Sequence, residues 1–468
     1  MLQTPLMTPS LANALVQHAS GLSPNDISTL QKERLLILVD YARQHSPYFM
    51  EKYRDLPACP SLKDIPVILR EDVMPQFDRW VCDPEVTTET LNSYLVNLDE
   101  ASISKPFLGR YRVMTTSGTT GIPLRMIRDD RHSMIHNALM AQRLFGSSKT
   151  KGISLPGAPF PRHAGVLTSG GYHSTYLSYL RSKAAYEAAG HAGDILPLYV
   201  EMSTGEMVTS LNAFQPVILS GYPSNIRLLA TQQRLGRLHI SPSMVLCSAE
   251  HLSLEDIRYI EESFNCPVLD NYCSTEGGEV AMLCCENHMH VNADWVIVEP
   301  VDQDMRPVPP GVQSSGILLT NLANLVQPII RYYISDRIVL HDKPCACGSP
   351  FPYMDIEGRK EDILSFLNSE GLWVQVPSSL FIMISMHAPN CGQVQFIQQA
   401  PKALEIRCTP ENGEGHLDLC RHLLMVTREK LALEGLDVLD ITFSLKEPIL
   451  GKTGKLRNTL CLMEEGSR

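Results

Sequence analysis

The sequence predicts an α/β protein with a large N-terminal domain of mixed sheets and helices, residues 1–358, and a small α+β domain, residues 359–468. Three observations lead there. The chain has 468 residues, enough for two or three domains at roughly 100–200 residues each. Its middle alternates short apolar runs with helical stretches, the pattern of strands flanked by helices. Its last hundred or so residues change grammar and read as strand, strand, helix, strand, a size typical of a small domain.

Taken in order, Leu30 to Ala42 places apolar residues at helical spacing and predicts an opening helix. Pro47 disfavours helix in the residue before it and ends that run. Tyr111-Arg-Val-Met114 reads as a strand, as does Val217 to Gly221, which is followed by a helix from Ser224 to Arg237. Ser253 with Asp256 three residues on predicts a capped helix start. In the tail, Gly392 to Phe396 and Ala403 to Cys408 read as paired strands about a turn at Ala400-Pro401. Leu417 to Leu433 reads as a helix with Leu417, Cys420, Leu424 and Leu431 on its buried stripe, and Val438 to Phe443 as a further strand. The domain boundary falls near Gly358 to Asp362.

Composition narrows the function classes. Hydrophobic residues make up 44% of the chain and the formal net charge is −11. No long basic run occurs, which argues against a nucleic-acid footprint, since phosphate binding relies on clustered Lys and Arg. The apolar run Leu380 to Met386 is too short to span a bilayer, so no membrane partner is expected. The opening residues lack a basic start followed by an apolar stretch. With thirteen scattered cysteines, this suits a reduced cytoplasmic protein with free or metal-bound thiols. A homodimer is left open.

The most informative segment is Thr115-Thr-Ser-Gly-Thr-Thr-Gly-Ile-Pro123, placed after a strand. Its glycines allow close backbone approach to a ligand, and its hydroxyls and N–H groups suit phosphate oxygens. It is not a Walker loop, because no Gly-Lys-Ser/Thr follows at that spacing. By composition alone a Ser/Thr-rich surface loop fits equally well.

Thr116 to Pro123 is similar to the signature phosphate loop of the adenylate-forming enzymes: acyl- and aryl-CoA ligases, luciferases and adenylation domains. Leu124 stands where many members have Lys or Thr. Further pieces occur in the family's order. Cys247-Ser-Ala-Glu250 resembles the segment along the adenine, and Asn271-Tyr-Cys-Ser-Thr-Glu276 resembles Tyr-Gly-x-Thr-Glu, with Cys273 for glycine. Arg331 to Asp336 is similar to Arg-Tyr-x-Thr-Gly-Asp, Gly358 to Asp362 to Gly-Arg-x-Asp-Asp, and Gly451 to Arg457 to the C-terminal Gly-Lys element. The match runs from Pro47-Tyr-Phe49 and Ile65 to Asp72 through to Lys455, and the short opening helices favour the phenylacetate–CoA ligase branch.

The resemblance implies an ATP- and Mg²⁺-dependent enzyme that activates a carboxylic acid as an acyl-adenylate. It implies nucleotide contacts from Thr116, Ser117, Gly118, Thr119, Thr120 and Gly121, then from Ser248, Ala249 and Glu250. Asn271, Tyr272, Thr275, Glu276, Asp336 and Arg359 complete that set. Tyr272 would pack on adenine, Thr275 would touch the α-phosphate, Glu276 would help hold Mg²⁺, and Asp336 would take the ribose hydroxyls. Lys455 would be the catalytic lysine on a mobile small domain, with Glu361 at the hinge. The acyl acceptor is expected to be CoA, with a carrier-protein thiol or an amine as alternatives, because Leu364 to Trp373 departs from the branch's glycine-rich run. A non-catalytic nucleotide-binding relative is a further alternative, against which the retained Glu276, Asp336, Arg359 and Lys455 argue. Tyr222-Pro-Ser224 falls near the acyl pocket by resemblance; His163 and Gly170 to His173 are either part of it or ordinary loop.

Cys284-Cys-Glu-Asn-His-Met-His290 and Cys345-Ala-Cys347-Gly348 form two knots of soft ligands suited to tetrahedral Zn²⁺. Relatives of the branch carry a similar set, which implies Cys285, His290, Cys345 and Cys347 as a structural zinc site. Cys284 and His288 are close alternatives, and buried free thiols near a surface histidine are the other reading.

Overall fold

The computed structural model describes residues 7–97, 100–115, 124–170, 172, 174–357, 363–386, 393–409, 416–446, 448–449 and 457–463. These residues form a mixed α/β structure, and none of their helices is long and apolar enough to cross a membrane. The chain divides into two compact units, each assembled from separate stretches.

The first unit gathers 1–115, 124–153 and 269–358. It opens on two helices, Pro9–Ser20 and Pro24–His45, each with Pro in its first turn and a Thr8 or Ser23 hydroxyl accepting an otherwise orphaned N–H. The expected break at Pro47 is there, but the proline also starts a helix, Pro47–Lys52. Ser46 is the pivot. Its backbone N–H ends one helix, its hydroxyl oxygen caps the next by accepting from the Phe49 N–H (3.4 Å), and its one hydroxyl proton is shared between the carbonyls of Arg79 (2.9 Å) and Trp80 (2.8 Å).

Buried arginine–carboxylate pairs brace this unit. Arg143 binds Asp294 through both carboxylate oxygens at 2.7 and 2.9 Å, while Arg34 donates to the Asp294 carbonyl and lies 3.5 Å above the Trp295 ring. Burial pulls the Arg34 guanidinium down to about 10, and Asp294 draws it partly back. Arg331 adopts a left-handed φ of 49° and binds Glu299 with two 3.0 Å bonds. It also donates to the Ile65 carbonyl at 2.5 Å. Burial would make each charge expensive alone; the bidentate geometry compensates both partners.

Antiparallel strands of this unit run in the spatial order Arg337–His341, Tyr353–Glu357, Met289–Val291, Gly278–Leu283, Val268–Ser274. A second antiparallel sheet joins Val296–Val301, Gly316–Asn321 and Tyr332–Ile334. Arg112–Thr115 pairs with Arg125–Arg128, so the strand expected before the Ser/Thr-rich segment is present and a second one follows it.

The second unit gathers 116–123, 154–268 and 359–468. Met244–Ser248, Ile218–Gly221, His163–Leu167 and Ile195–Tyr199 run parallel in that order. The helices Pro223–Arg234 and Leu254–Phe264 follow their strands as expected, and Ser253 accepts the Asp256 N–H at the start of the latter. In the tail, Gln393–Ala400 and Ala403–Thr409 form the expected hairpin, flanked by Asp440–Ser444 and Thr459–Cys461. The helix His416–Leu433 is present, but its buried stripe differs. Leu424 is only half-buried; Leu423, Val426 and Thr427 join Cys420 and Leu431 inside, and the Leu417 side chain lies outside the described residues. Thr427 is tolerated there because its hydroxyl donates to the Leu423 carbonyl, a local bond that a hydrophobicity pattern does not register.

Replacing Ser46 with Ala should remove one cap and one hydrogen bond shared between two carbonyls. A loss of roughly 2 kcal/mol in urea-unfolding stability is expected; an unchanged midpoint would show the pivot to be dispensable.

Candidate nucleotide and metal sites

The strand Val268–Ser274 carries Asn271, Tyr272 and Cys273 and turns through Thr275–Gly277 into Gly278–Leu283. The pairing of these strands shifts register between Tyr272 and Cys273, a bulge that re-aims side chains. The Tyr272 hydroxyl donates to the Asp336 carboxylate at 2.6 Å. Asp336 sits between the strands Tyr332–Ile334 and Arg337–His341. Burial, then the Asp336 charge, holds the phenol well above its ordinary value, so it stays a donor.

Glu276 is buried in the same place. Burial raises its proton affinity and Asp336 adds to this, while Arg70 opposes it from 3.3 Å. Arg70 also approaches the Tyr332 hydroxyl at 3.4 Å. Sequence reasoning marked the segment Ile65 to Asp72 without giving Arg70 a role. The signal was a lone cation closing an apolar run.

Thr275 is held through its carbonyl, which accepts from Arg128 at 3.0 Å. The Asn271 amide turns to sulfur, 2.8 Å from Cys273 Sγ and 3.9 Å from Met140 Sδ. Cys273, where the family has glycine, lies 3.6 Å from the Glu279 carboxylate. Behind it Glu279 pairs with His136, and His132 packs beneath Gly278, whose φ is +70° and whose absent Cβ would fall 2.8 Å from the His132 Nε2.

In the second unit, Ser248 ends a strand and Ala249 takes a left-handed φ of 70°. That bend aims Glu250 at the start of the helix Pro223–Arg234, where it accepts from the Ser224 N–H (3.0 Å) and hydroxyl (3.2 Å), and also from the Ser378 hydroxyl (3.2 Å). Nearby, the Thr175 and Tyr222 hydroxyls are 3.0 Å apart, and His163 Nε2 is 2.8 Å from Ser220 Oγ. Thr116, Ser117, Gly118, Thr119, Thr120, Gly121, Arg359, Glu361 and Lys455 lie outside the described residues.

The thiol cluster needs one correction. Cys284, His290, Cys345 and Cys347 each offer a ligand atom, all within 4.8 Å of one another. Cys285 does not join them; it is exposed, its thiol 3.9 Å from the Glu286 carboxylate. Neighbouring residues at a strand end face opposite ways. The tight turn closed by the Cys284 N–H to His288 carbonyl bond (2.9 Å) leaves Cys284 facing inward, 3.9 Å from Cys345 Sγ. His290 Nδ1 is 2.8 Å from the Phe351 carbonyl, which leaves Nε2 directed at Cys347 Sγ, 3.3 Å away. His288 lies 3.2 Å from Cys345 Sγ and stacks on Tyr353, so it flanks the set. Burial pushes the Cys347 thiol up to about 12.

This fold is shared with a solved acyl-CoA ligase, and the sequence likeness points the same way. Its sequence is similar to the phenylacetate–coenzyme A ligase of Thermus thermophilus, 25% identical over 353 residues, covering 72% of this chain and 71% of that protein. A shorter stretch of 138 residues is 26% identical to the protein CapK of Staphylococcus aureus, 29% of each chain. Among solved structures, 2-hydroxyisobutyryl-CoA ligase with 2-HIB-AMP and CoA in its thioesterification state matches with a TM-score of 0.56. The identity is 19%, over 95% of this chain and 91% of that one. The same enzyme in its postadenylation state matches at 0.53 and 18% identity, over 97% and 93%. No protein-family model matches the sequence.

The buried histidine behind the cluster sets a pH limit. Burial and the adjacent Arg128 push His132 well below its usual value, with His136 and Arg131 adding to this and Glu279 opposing. An unfolded histidine takes a proton near pH 6.5, whereas this one does not until much lower, so stability falls as pH drops below about 6.5. His132→Asn should flatten that fall between roughly pH 6.5 and 5 in denaturant titrations; an unaltered slope would assign it to other groups.

Proposed function

We propose that this chain is an ATP-dependent carboxylate ligase. It converts a carboxylic acid to an acyl-adenylate with release of pyrophosphate, then passes the acyl group to a thiol, CoA in the first instance. The observation that carries this is the convergence of Tyr272, Glu276 and Asp336, marked by the 2.6 Å Tyr272–Asp336 bond. The names of the T. thermophilus relative and of the 2-hydroxyisobutyryl-CoA ligase point to the same reaction class.

In this reading the substrate carboxylate oxygen attacks the α-phosphorus and the bond to the pyrophosphate oxygen breaks. Such chemistry rests on positioning and charge neutralisation. Tyr272 packs on adenine. Asp336, an acceptor for Tyr272, takes the ribose hydroxyls. Thr275 meets the α-phosphate, and Ser248 to Glu250 line the adenine. Glu276 fits Mg²⁺: it is a hard oxygen donor, buried beside a second carboxylate, with Arg70 as a counter-charge. When bound, Mg²⁺ would neutralise the leaving phosphates. Residues 116–121 hold those phosphates, Arg359 binds nucleotide, Lys455 on the small domain 359–468 supplies charge where it develops, and Glu361 marks the hinge.

For the acceptor, the altered segment forms a hairpin of Leu364–Leu367 with Trp373–Val376. Trp373, Val374 and Gln375 border a cavity of about 500 Å³ together with Leu228, Thr231 and Leu235. CoA is the first reading because the names of these relatives carry it, with a carrier-protein thiol or an amine as the alternatives. Acid-dependent exchange of labelled pyrophosphate into ATP, across aromatic, fatty and amino acids, tests the reading. One acid class should support exchange, Lys455→Ala should abolish it, and mass analysis with CoA present should show the acyl-CoA. No exchange with any acid would refute the function; an adenylate that discharges only onto a carrier or an amine would replace the acceptor.

We also assign Cys284, His290, Cys345 and Cys347 to a structural Zn²⁺. Three sulfurs and an imidazole oriented by the Phe351 carbonyl are a fitting donor set, and four protein ligands leave no open position for catalysis. A cytoplasmic, reducing setting matches these free thiols. Metal analysis should find about one Zn²⁺ per chain, and Cys345→Ser with Cys347→Ser should release it and lower the melting temperature. Wild-type protein that is stable and metal-free would exclude the site.

A further inference from the structure

The strand Arg125–Arg128 pairs along one edge with Arg112–Thr115 and, among the described residues, with no strand along the other. Alternate residues of a strand turn their N–H and C=O groups to the same edge. On the free edge these are the Arg125 carbonyl, both groups of Ile127, and the Asp129 N–H. Each is met by a side-chain amide. Gln327 donates to the Arg125 carbonyl at 3.0 Å and accepts from the Ile127 N–H at 2.7 Å. Asn324 donates to the Ile127 carbonyl at 2.8 Å and accepts from the Asp129 N–H at 3.2 Å. Two amide side chains thus replace a neighbouring strand.

The same short segment reaches the turn that carries Glu276. Asn321 donates to the carbonyls of Glu276 (3.1 Å) and Gly277 (3.3 Å). Its own oxygen is taken by the N–H groups of Ala323 and Asn324. Arg128, at the end of the strand, donates to the carbonyls of Ser274 (3.2 Å) and Thr275 (3.0 Å). Four consecutive carbonyls are therefore held by two side chains. Asn321, Asn324 and Gln327 are at most 1% exposed. Gly277 leaves no slack, since a Cβ there would lie 2.6 Å from Leu319 Cδ2.

We propose that Asn321, Asn324, Gln327 and Arg128 are positioning residues for the metal–triphosphate end of ATP. They lock the strand Arg125–Arg128 to the turn that carries Glu276. This rests on the adenylation reading for the role of Glu276. All four bond backbone groups, so they act through the strand and the turn they hold. Buried amides at these distances resist displacement, because any shift strands a backbone donor or acceptor away from water. A loosened bracket lets the Glu276 turn shift while leaving Tyr272 and Asp336 to hold the nucleoside.

The test is calorimetric titration of the full chain with MgATP and, separately, with AMP. Gln327→Leu and Asn321→Leu should each weaken MgATP by about tenfold or more and leave AMP within about twofold. Gln327→Glu keeps the acceptor for the Ile127 N–H and should fall between wild type and Gln327→Leu. Should the leucine variants not fold, Gln327→Glu supplies the same comparison. Equal weakening of both ligands, or unchanged MgATP affinity, would overturn the inference. Wild type that binds MgATP but adenylates no acid would remove the proposed function and leave this inference standing.

Discussion

A strand edge buried without a neighbouring strand must satisfy its polar groups from elsewhere, and much of the first unit depends on how this is done for Arg125–Asp129. The Asn321–Gln327 segment is the answer, and it is an exacting one. Its backbone returns from the strand Gly316–Asn321 and leads within a few residues to Arg331, so the amides cannot move without disturbing both. Arg331 is itself fixed at a left-handed φ by Glu299, Ile65 and the Thr320 hydroxyl, which bonds its N–H at 2.9 Å. Tyr332 follows, stacked at 5° on the buried Trp80. The path from the buried amides to Asp336 is thus over-determined by paired polar groups.

The electrostatics of the cluster follow from that rigidity. Glu276 and Asp336 are neighbouring carboxylates, and burial makes their repulsion count. One guanidinium and one phenol offset it, Arg70 toward Glu276 and Tyr272 toward Asp336. Such a site favours ligands that bring positive charge or hydroxyl donors to fixed carboxylates. A nucleotide carrying a divalent cation brings both.

Legibility in the sequence varied by feature. Capped helices, the Ser253 start and the tail hairpin were readable because their causes are local. Tyr272, Glu276 and Asp336 were legible through their motifs. Arg70, Arg128, Asn321, Asn324 and Gln327 were not, since a buried Asn and a loop Asn look alike until a partner some two hundred residues away is known. The thiol cluster shows the limit in small. Adjacent cysteines are equivalent in sequence, and only the turn at His288 decides which faces inward. In the tail helix, one misplaced leucine and an unforeseen threonine arose from weighing side chains by hydrophobicity alone.

The sequence by itself determined the α/β class, several helices and strands in their order, the motifs of the candidate nucleotide site and the two knots of thiols. These follow from spacing, caps and residue chemistry, which act over a few residues. The tertiary structure decided which buried polar groups meet: which cysteine joins the cluster, which arginine balances Glu276, and which amides stand in for a missing strand. Those choices depend on desolvation, because an unpaired polar group is costly only once the fold has removed water from around it.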